Sequence, residues 1–321
     1  MISRKKEFFV STSYYVHLAS PRGFCAGVER AIETVKYSLE KYGKPVYVLH
    51  EIVHNKHVID ELKTMGAIFV EHLADVPSGE VCIFSAHGVP VAVENYAAEL
   101  GLLTIDATCP LVTSVHRMVE KYHADKNDVL IIGHHNHPEV EGTAGRVSDR
   151  VKTIATESEA ELVRVHNPDK VGYVTQTTLT KADITGILSI LKNRFPTIKG
   201  PKSNICFATQ NRQDAVRILA EQSDIVFVVG SKNSSNSNRL KEVAGRCGVP
   251  AYLIDDHNDI DRNWIEDVSS IGITAGASAP ERLVDGVIDW LRSFNEVTVD
   301  EIDGINENIH FPAAPFPETK K

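Results

Sequence analysis

The sequence has no closely paired cysteines, no glycine-rich nucleotide fingerprint, no surplus of basic residues and no apolar run of membrane length. Each absence removes a class of function. A spanning helix needs about 20 predominantly apolar residues in succession, and no run here approaches that length. The formal net charge is −9, with 34 Lys and Arg against 43 Asp and Glu, whereas nucleic-acid binders normally present a basic face. An anionic ligand would have to be held by local groups, not by a general positive field. No G-x-G-x-x-G follows a strand pattern and no Walker loop occurs, which disfavours nucleotide binding. The five cysteines are odd in number and widely spread, unlike a disulfide framework. None forms the C-x-x-C pairs usual in a closed zinc site.

What is present describes an ordinary globular chain. Its 321 residues suffice for two or three domains, and 42% apolar with 24% charged residues is a common balance. Near the start, Arg4, Lys5 and Lys6 precede Phe8-Phe9-Val10, a faint likeness of a signal peptide that Ser11-Thr12-Ser13 interrupts. Residues 1–14 therefore read as a short extension, and the expected compartment is the cytoplasm. The tail over 298–321, with Pro312, Pro315 and Pro317, is expected to run as an extended strap over another unit or else to fray.

Between these ends, short apolar runs alternate with helical periodicity, the pattern of parallel α/β sheets. The expected strands are 15–19, 46–49, 67–70, 81–84, 103–105, 129–132, 171–174, 225–229, 251–254 and 271–274. Three cysteines share one setting. Cys25, in Pro21-Arg22-Gly23-Phe24-Cys25-Ala26-Gly27, follows one such run and opens a helical pattern of Val28, Ala31, Ile32, Val35 and Leu39. Cys109 does the same before Pro110, Val112, Val115, Val119 and Tyr122, and Cys206 does so in Ser203-Asn204-Ile205-Cys206-Phe207-Ala208. A helix start favours negative charge, so a lowered thiol pKa is expected at all three.

The cysteines lie 84 and 97 residues apart, and each is followed by two polar strand ends. The first comes 29, 28 and 28 residues on, at His54, His137 and Ser234. The second comes 62, 68 and 72 residues on, at His87, Thr177 and Ser278. Such spacing predicts a threefold internal repeat: three α/β units over 15–107, 108–204 and 205–297, meeting about a pseudo-threefold axis with these groups turned inward.

A single cysteine in such a fold is usually a small buried hydrophobe, and Cys82 and Cys247 are read that way. Three soft ligands without a fourth suit a metal centre with an open position. By softness iron–sulfur is favoured over zinc, and a [4Fe–4S] cluster can be held by three cysteines. His54, His87 and His137 would singly read as structural, but at matched positions their N–H groups suit phosphate oxygens. The run Ser231-Lys232-Asn233-Ser234-Ser235-Asn236 could be a solvated loop, yet after a strand and before a helix it is placed to cradle a phosphate. Glu139, two residues past His137, is the expected proton donor, its pKa raised by its surroundings. Thr177 could relay that proton or serve only as a turn residue.

The segments PRGFCAGVERAI, HEIVHN, FSAHGV, DATCPLVTSVH, HPEVEGT, TQTTL, SKNSSNSNRL and TAGASAP resemble the LytB-type iron–sulfur reductases, which act on 4-hydroxy-3-methylbut-2-enyl diphosphate. The resemblance runs from about Tyr15 to Asn295. It implies a trefoil of three α/β domains around a central [4Fe–4S] cluster bound by Cys25, Cys109 and Cys206. It assigns His54, His87, His137, Ser234, Ser235, Asn236 and Ser278 to the diphosphate, Thr177 to the substrate pocket and Glu139 to proton delivery. The implied reaction is reductive dehydroxylation to isopentenyl and dimethylallyl diphosphate, with electrons from ferredoxin or flavodoxin. Two rivals remain at this stage: a metal-dependent phosphoester hydrolase, and a non-catalytic iron–sulfur sensor, which the acidic charge disfavours.

Overall fold

Runs of four to six residues rich in valine and isoleucine form parallel strands in the structure, a computed structural model that describes residues 13–317. The chain begins with β1 (Ser13–Leu18), α1 (Ala26–Tyr42), β2 (Val46–Leu49), α2 (Lys56–Met65), β3 (Ala67–Val70), β4 (Val81–Phe84), α3 (Val91–Glu99) and β5 (Leu103–Asp106). It continues through α4 (Pro110–Ala124), β6 (Asp128–Ile132), α5 (Pro138–Ala144), β7 (Val151–Ile154), α6 (Glu157–Leu162), β8 (Val171–Thr175) and α7 (Lys181–Arg194). The last stretch holds α8 (Phe207–Glu221), β9 (Ile225–Val229), α9 (Ser235–Arg246), β10 (Ala251–Ile254), β11 (Ser270–Ala275), α10 (Glu281–Arg292) and β12 (Glu296–Glu301). Every expected strand is found, its ends within two residues of the expectation.

The strands form three sheets, ordered β10-β9-β11-β1-β12, β3-β2-β4-β5 and β7-β6-β8, and the pairings within them are parallel. The repeat inferred from the cysteines is visible in these orders. In each, the first strand after a cysteine's helix (β2, β6 or β9) is flanked on one side by the next strand and on the other by the third. The segment leading into each cysteine lies beside the third strand of the preceding repeat. Thus β5 pairs with β4 ahead of Cys109, and Lys199 bridges to Gly172 of β8 ahead of Cys206. Likewise β1 pairs with β11 ahead of Cys25.

This last pairing departs from the sequence-based divisions. Cutting at 107 and 204 assigns β1 to the first repeat, whereas its hydrogen bonds go to β11 and β12 at the far end of the chain. By compactness the chain divides into two units, Met1–Gly23 with Asn211–Glu307, and Phe24–Gln210 with Asn308–Lys321. The first holds the five-stranded sheet and the second the other two. Of the expected extension over 1–14, residues 1–12 lie outside the described residues, and Ser13 and Tyr14 belong to β1.

Strict alternation along the inner strands splits each one between two apolar layers, as expected of parallel strands covered on both faces. In β9, Ile225, Phe227 and Val229 pack toward α10, while Val226 and Val228 pack toward α8 and α9. In β6, Leu130 and Ile132 face one layer with α7, and Val129 and Ile131 face the other with α4. Both faces being occupied, the carboxyl ends of the strands are left for ligands. In the second unit the described part of the tail packs along α1. Ala314 and Phe316 join the core beneath α1, Phe316 sits edge-on to Tyr37 at 4.7 Å, and Tyr42 donates to the Pro317 carbonyl at 2.8 Å. Among the described residues no helix is long and apolar enough to cross a membrane.

Candidate active site

Eight of the twelve candidate residues belong to the unit Phe24–Gln210. Cys25, Cys109 and Cys206 immediately precede α1, α4 and α8, and their carbonyls accept the first helical N–H groups, from Glu29, Thr113 and Gln210, at 2.9, 2.9 and 3.0 Å. All the cysteines are free thiols. The three share one locality: ionised Cys25 and Cys109 each oppose ionisation of Cys206, and Cys25 opposes that of Cys109. The expectation of lowered pKa values is overturned at two of them. Burial drives Cys109 up to about 11 and Cys206 up to about 12, outweighing the amide groups of Leu111 and Val112 at the one and Thr209 at the other. Desolvation of a thiolate can outweigh the favourable field of a helix start. Among the described residues no three His, Cys, Asp or Glu side chains close on a single ion-sized point.

Backbone bonds beyond the strand ends lace the loops together. The Ala86 N–H donates to Ile52, Cys109 to Ala86, Gln176 to Ile132 and Cys206 to Thr177, at 3.1, 3.0, 2.8 and 3.1 Å. Two of the cysteine loops are thereby tied to loops bearing other candidates, Cys109 beside His87 and Cys206 at Thr177 itself. The three histidines meet ring to ring. His54 stacks on His87 at 4.2 Å, and His137 stands edge-on to both at 5.8 and 6.0 Å. Burial first, then the neighbouring imidazoles, hold His87 well below its usual pKa and bring His137 to about 4. His137 Nδ1 accepts from the Glu139 N–H at 3.2 Å, which leaves its proton on Nε2. His54 Nδ1 lies 2.8 Å from the Glu51 carboxylate.

Glu139 is buried, and Thr177 meets both of its oxygens. The Thr177 N–H donates to Oε1 at 2.6 Å and its hydroxyl to Oε2 at 2.8 Å. Burial raises the Glu139 pKa; the Thr177 bonds and the His54 charge counter only part of it. The charge on Glu139 in turn opposes ionisation of Cys109. Thiols, carboxyl and imidazoles thus lie within electrostatic reach of one another.

The other four candidates, Ser234, Ser235, Asn236 and Ser278, lie in the first unit, at the carboxyl ends of β9 and β11. These strands are neighbours, and the Gly276 N–H donates to Val229 at 2.8 Å, so their loops adjoin. Ser234 caps α9, accepting from the Ser237 N–H at 3.3 Å and hydroxyl at 3.0 Å. Gly230 and Gly276 press on Ser237, where a Cβ would stand 2.2 and 2.1 Å from its hydroxyl oxygen. Asn236 is buried, and neither atom of its amide has a hydrogen-bond partner among the described residues. Buried amides are normally satisfied, so this one is suited to a ligand that both donates and accepts, or to a hydrated anion.

Several participants escaped the sequence reading. The Thr209 N–H donates to Cys206 Sγ at 3.3 Å, and the thiol is 3.1 Å from the Thr209 hydroxyl. Its signal was a threonine three residues into the helix after a cysteine. Gln176 accepts from the His134 N–H at 3.0 Å and donates to the Thr178 hydroxyl at 2.8 Å, bracing the loop before His137. In that loop His135 turns outward to Glu159 at 2.9 Å. His116 is buried under Gly88, whose φ of +79° and close approach leave no room for a side chain.

The histidines set a pH dependence. His116 and His137 titrate near 4 and His87 is also lowered, against a usual 6.5. The unfolded chain binds these protons first as pH falls, so the stabilisation is whole above pH 6.5 and is lost progressively from there toward pH 4. For buried His116 the loss by pH 5 is on the order of 2 kcal/mol. The chain should therefore melt several degrees lower at pH 5 than at pH 7 by calorimetry. A midpoint that stayed level or rose would contradict the arrangement.

Comparison with known proteins places the chain in a family. The family model described as LytB protein matches residues 16–292. The 4-hydroxy-3-methylbut-2-enyl diphosphate reductase of Desulfotalea psychrophila is 62% identical, over 93% of this chain and 96% of its own. The Azoarcus enzyme of the same name is 54% identical, over 92% and 95%. Among solved structures, the E-1-hydroxy-2-methyl-but-2-enyl-4-diphosphate reductase of Plasmodium falciparum superposes with a TM-score of 0.90 at 38% identity, covering 94% of this chain and 96% of that one. With its three thiols, three imidazoles and buried carboxyl on repeated parallel sheets, the chain belongs to the LytB family.

Proposed function

We propose that the chain reduces (E)-4-hydroxy-3-methylbut-2-enyl diphosphate to isopentenyl and dimethylallyl diphosphate, the activity its relatives are named for. The observation that carries the proposal is the gathering of Cys25, Cys109 and Cys206 beside the histidines and Glu139.

The residues fit an iron–sulfur group. Three soft donors enter from three helix starts. At Gly27, where a Cβ would stand 2.6 Å from Cys109 Sγ and 4.0 Å from Cys25 Sγ, the space beside the thiols is kept free of side chain. Cys25, Cys109 and Cys206 would hold a [4Fe–4S] cluster, which when bound supplies one-electron reduction and a Lewis-acidic iron for breaking the C–O bond. Thiols at about 11 and 12 must give up protons to bind it. The diphosphate is assigned to His54, His87 and His137 with Ser234, Ser235, Asn236 and Ser278. His87 and His137, held neutral first by burial and then by neighbouring imidazoles, take up protons when a polyanion arrives, so affinity for the diphosphate rises as pH falls. Thr177 orients the Glu139 carboxyl, and Glu139 delivers the proton that turns the departing hydroxyl into water. Electrons would come from a small donor protein, ferredoxin or flavodoxin, in a reducing cytoplasm.

Iron and acid-labile sulfide measured after anaerobic purification should be about four of each per chain, with reductase activity in the presence of a chemical reductant. Zinc, or no metal, would overturn the assignment. Gly27→Ala should bind less than half of the wild-type iron, because a methyl group cannot fit against Cys109 Sγ. Full iron in that variant would show the thiols to be more loosely placed than this.

A further inference from the structure

Arg30 lies on α1 five residues after Cys25 and joins three separate segments of one compact unit. Its Nη1 donates to the carbonyl of Thr108, the residue before Cys109, at 2.9 Å, and its Nε donates to the carbonyl of Pro312 in the tail at 2.8 Å. Thr108 is gripped from its other side by Asp106, whose Oδ1 accepts both the Thr108 N–H, at 2.9 Å, and its hydroxyl. Gly27 and Arg30, three residues apart, share a face of the helix. One admits the Cys109 side chain and the other holds the backbone beside it. The tail that supplies the second carbonyl is itself fastened by Phe316 and Tyr42. Both guanidinium contacts are to backbone carbonyls, and they bring a positive charge to the residue next to Cys109.

Resting on the cluster reading above, we propose that Arg30 is a positioning residue for the metal ligands: it locks the Cys109 loop to the helix that carries Cys25, and the carboxyl-terminal tail holds it in place. The planar guanidinium is suited to this, since it spans two acceptors in a fixed fork that a lysine ammonium cannot reproduce. Its charge also favours the reduced, more negative state of any cluster the thiols bind.

The test uses the full chain, purified anaerobically with its iron, as wild type, Arg30→Gln, Arg30→Lys and Phe316→Ala. Two readouts are independent of turnover: the rate of iron loss to a ferrous chelator, and the midpoint potential with the paramagnetic signature of the reduced state. Arg30→Gln should lose iron about 10–100-fold faster, the usual range for groups behind metal ligands, and its potential should move negative. Arg30→Lys should keep the potential near wild type but still lose iron faster, separating charge from geometry. Phe316→Ala, which frees the tail while leaving Arg30 in place, should lose iron at an intermediate rate. Circular dichroism checks that each variant is folded, and if Arg30→Gln does not fold, the other two decide. Iron loss and potential unchanged in the folded variants would overturn the proposal, as would a lowered melting point alone. A wild-type chain without iron would instead sink the cluster reading, and this proposal with it.

Discussion

Glu139→Gln should lower kcat for diphosphate reduction by roughly 10²–10⁴-fold, the usual worth of a general acid, while leaving iron content and folding unchanged. Glutamine is nearly isosteric here. Its carbonyl can accept from the Thr177 N–H and its amide can donate to the Thr177 hydroxyl, so both contacts of the native carboxyl have replacements. What disappears is the transferable proton. The native group is prepared to hold that proton because burial raises its pKa by more than Thr177 and His54 lower it. Wild-type activity should accordingly fall as pH rises through the raised pKa, whereas the residual activity of the variant should be insensitive over the same range. A variant retaining more than about a tenth of wild-type kcat would remove Glu139 from proton delivery and leave it a buried brace for the Thr177 loop.

The reach of the sequence and its limits have physical causes. Strands such as 129–132 and 225–229 were legible because parallel strands buried on both faces read as unbroken apolar runs. β7 and β12 were overlooked for the converse reason. Both lie at sheet edges, β7 burying only Ile154 and β12 none of its residues, and Glu296-Val297-Thr298-Val299-Asp300-Glu301 reads as polar tail. The partnership of β1 with β11 and β12 joins the two ends of the chain, and no local pattern carries a pairing of that range. The threefold cysteine spacing was legible because a repeat preserves its register, and the three sheets bear it out in their strand orders. Single residues that act across elements were not. Arg30, Thr209 and Gln176 have unremarkable neighbours in sequence, and their partners come into reach only on folding. The thiol pKa values failed differently. A helix start is a local property that sequence reveals, but burial depends on the assembled unit, and burial prevailed.

Cys109→Ser should bring bound iron from about four per chain to near zero, with loss of the reductase activity. Serine offers a harder oxygen donor on a shorter side chain, a poor ligand for iron that prefers thiolate. Cys109 has little latitude to compensate. Its N–H is bound to Ala86, its carbonyl begins α4, and its sulfur sits against Gly27 of α1. The appropriate comparisons are the two cysteines outside the site. Cys247 is exposed at the end of α9, and Cys247→Ser should retain all of the iron. Cys82 is buried within β4, its thiol pushed up to about 12 by desolvation, and Cys82→Ser should cost stability through a buried hydroxyl without removing the metal. A hydrolase built on the histidines and Glu139 would respond in the opposite sense, since its activity would survive the loss of Cys109. Iron retained in Cys109→Ser at the level of Cys247→Ser would dismiss the thiol as a ligand. Loss in the first alone would tie the metal to one of the three helix starts that the repeat brings together.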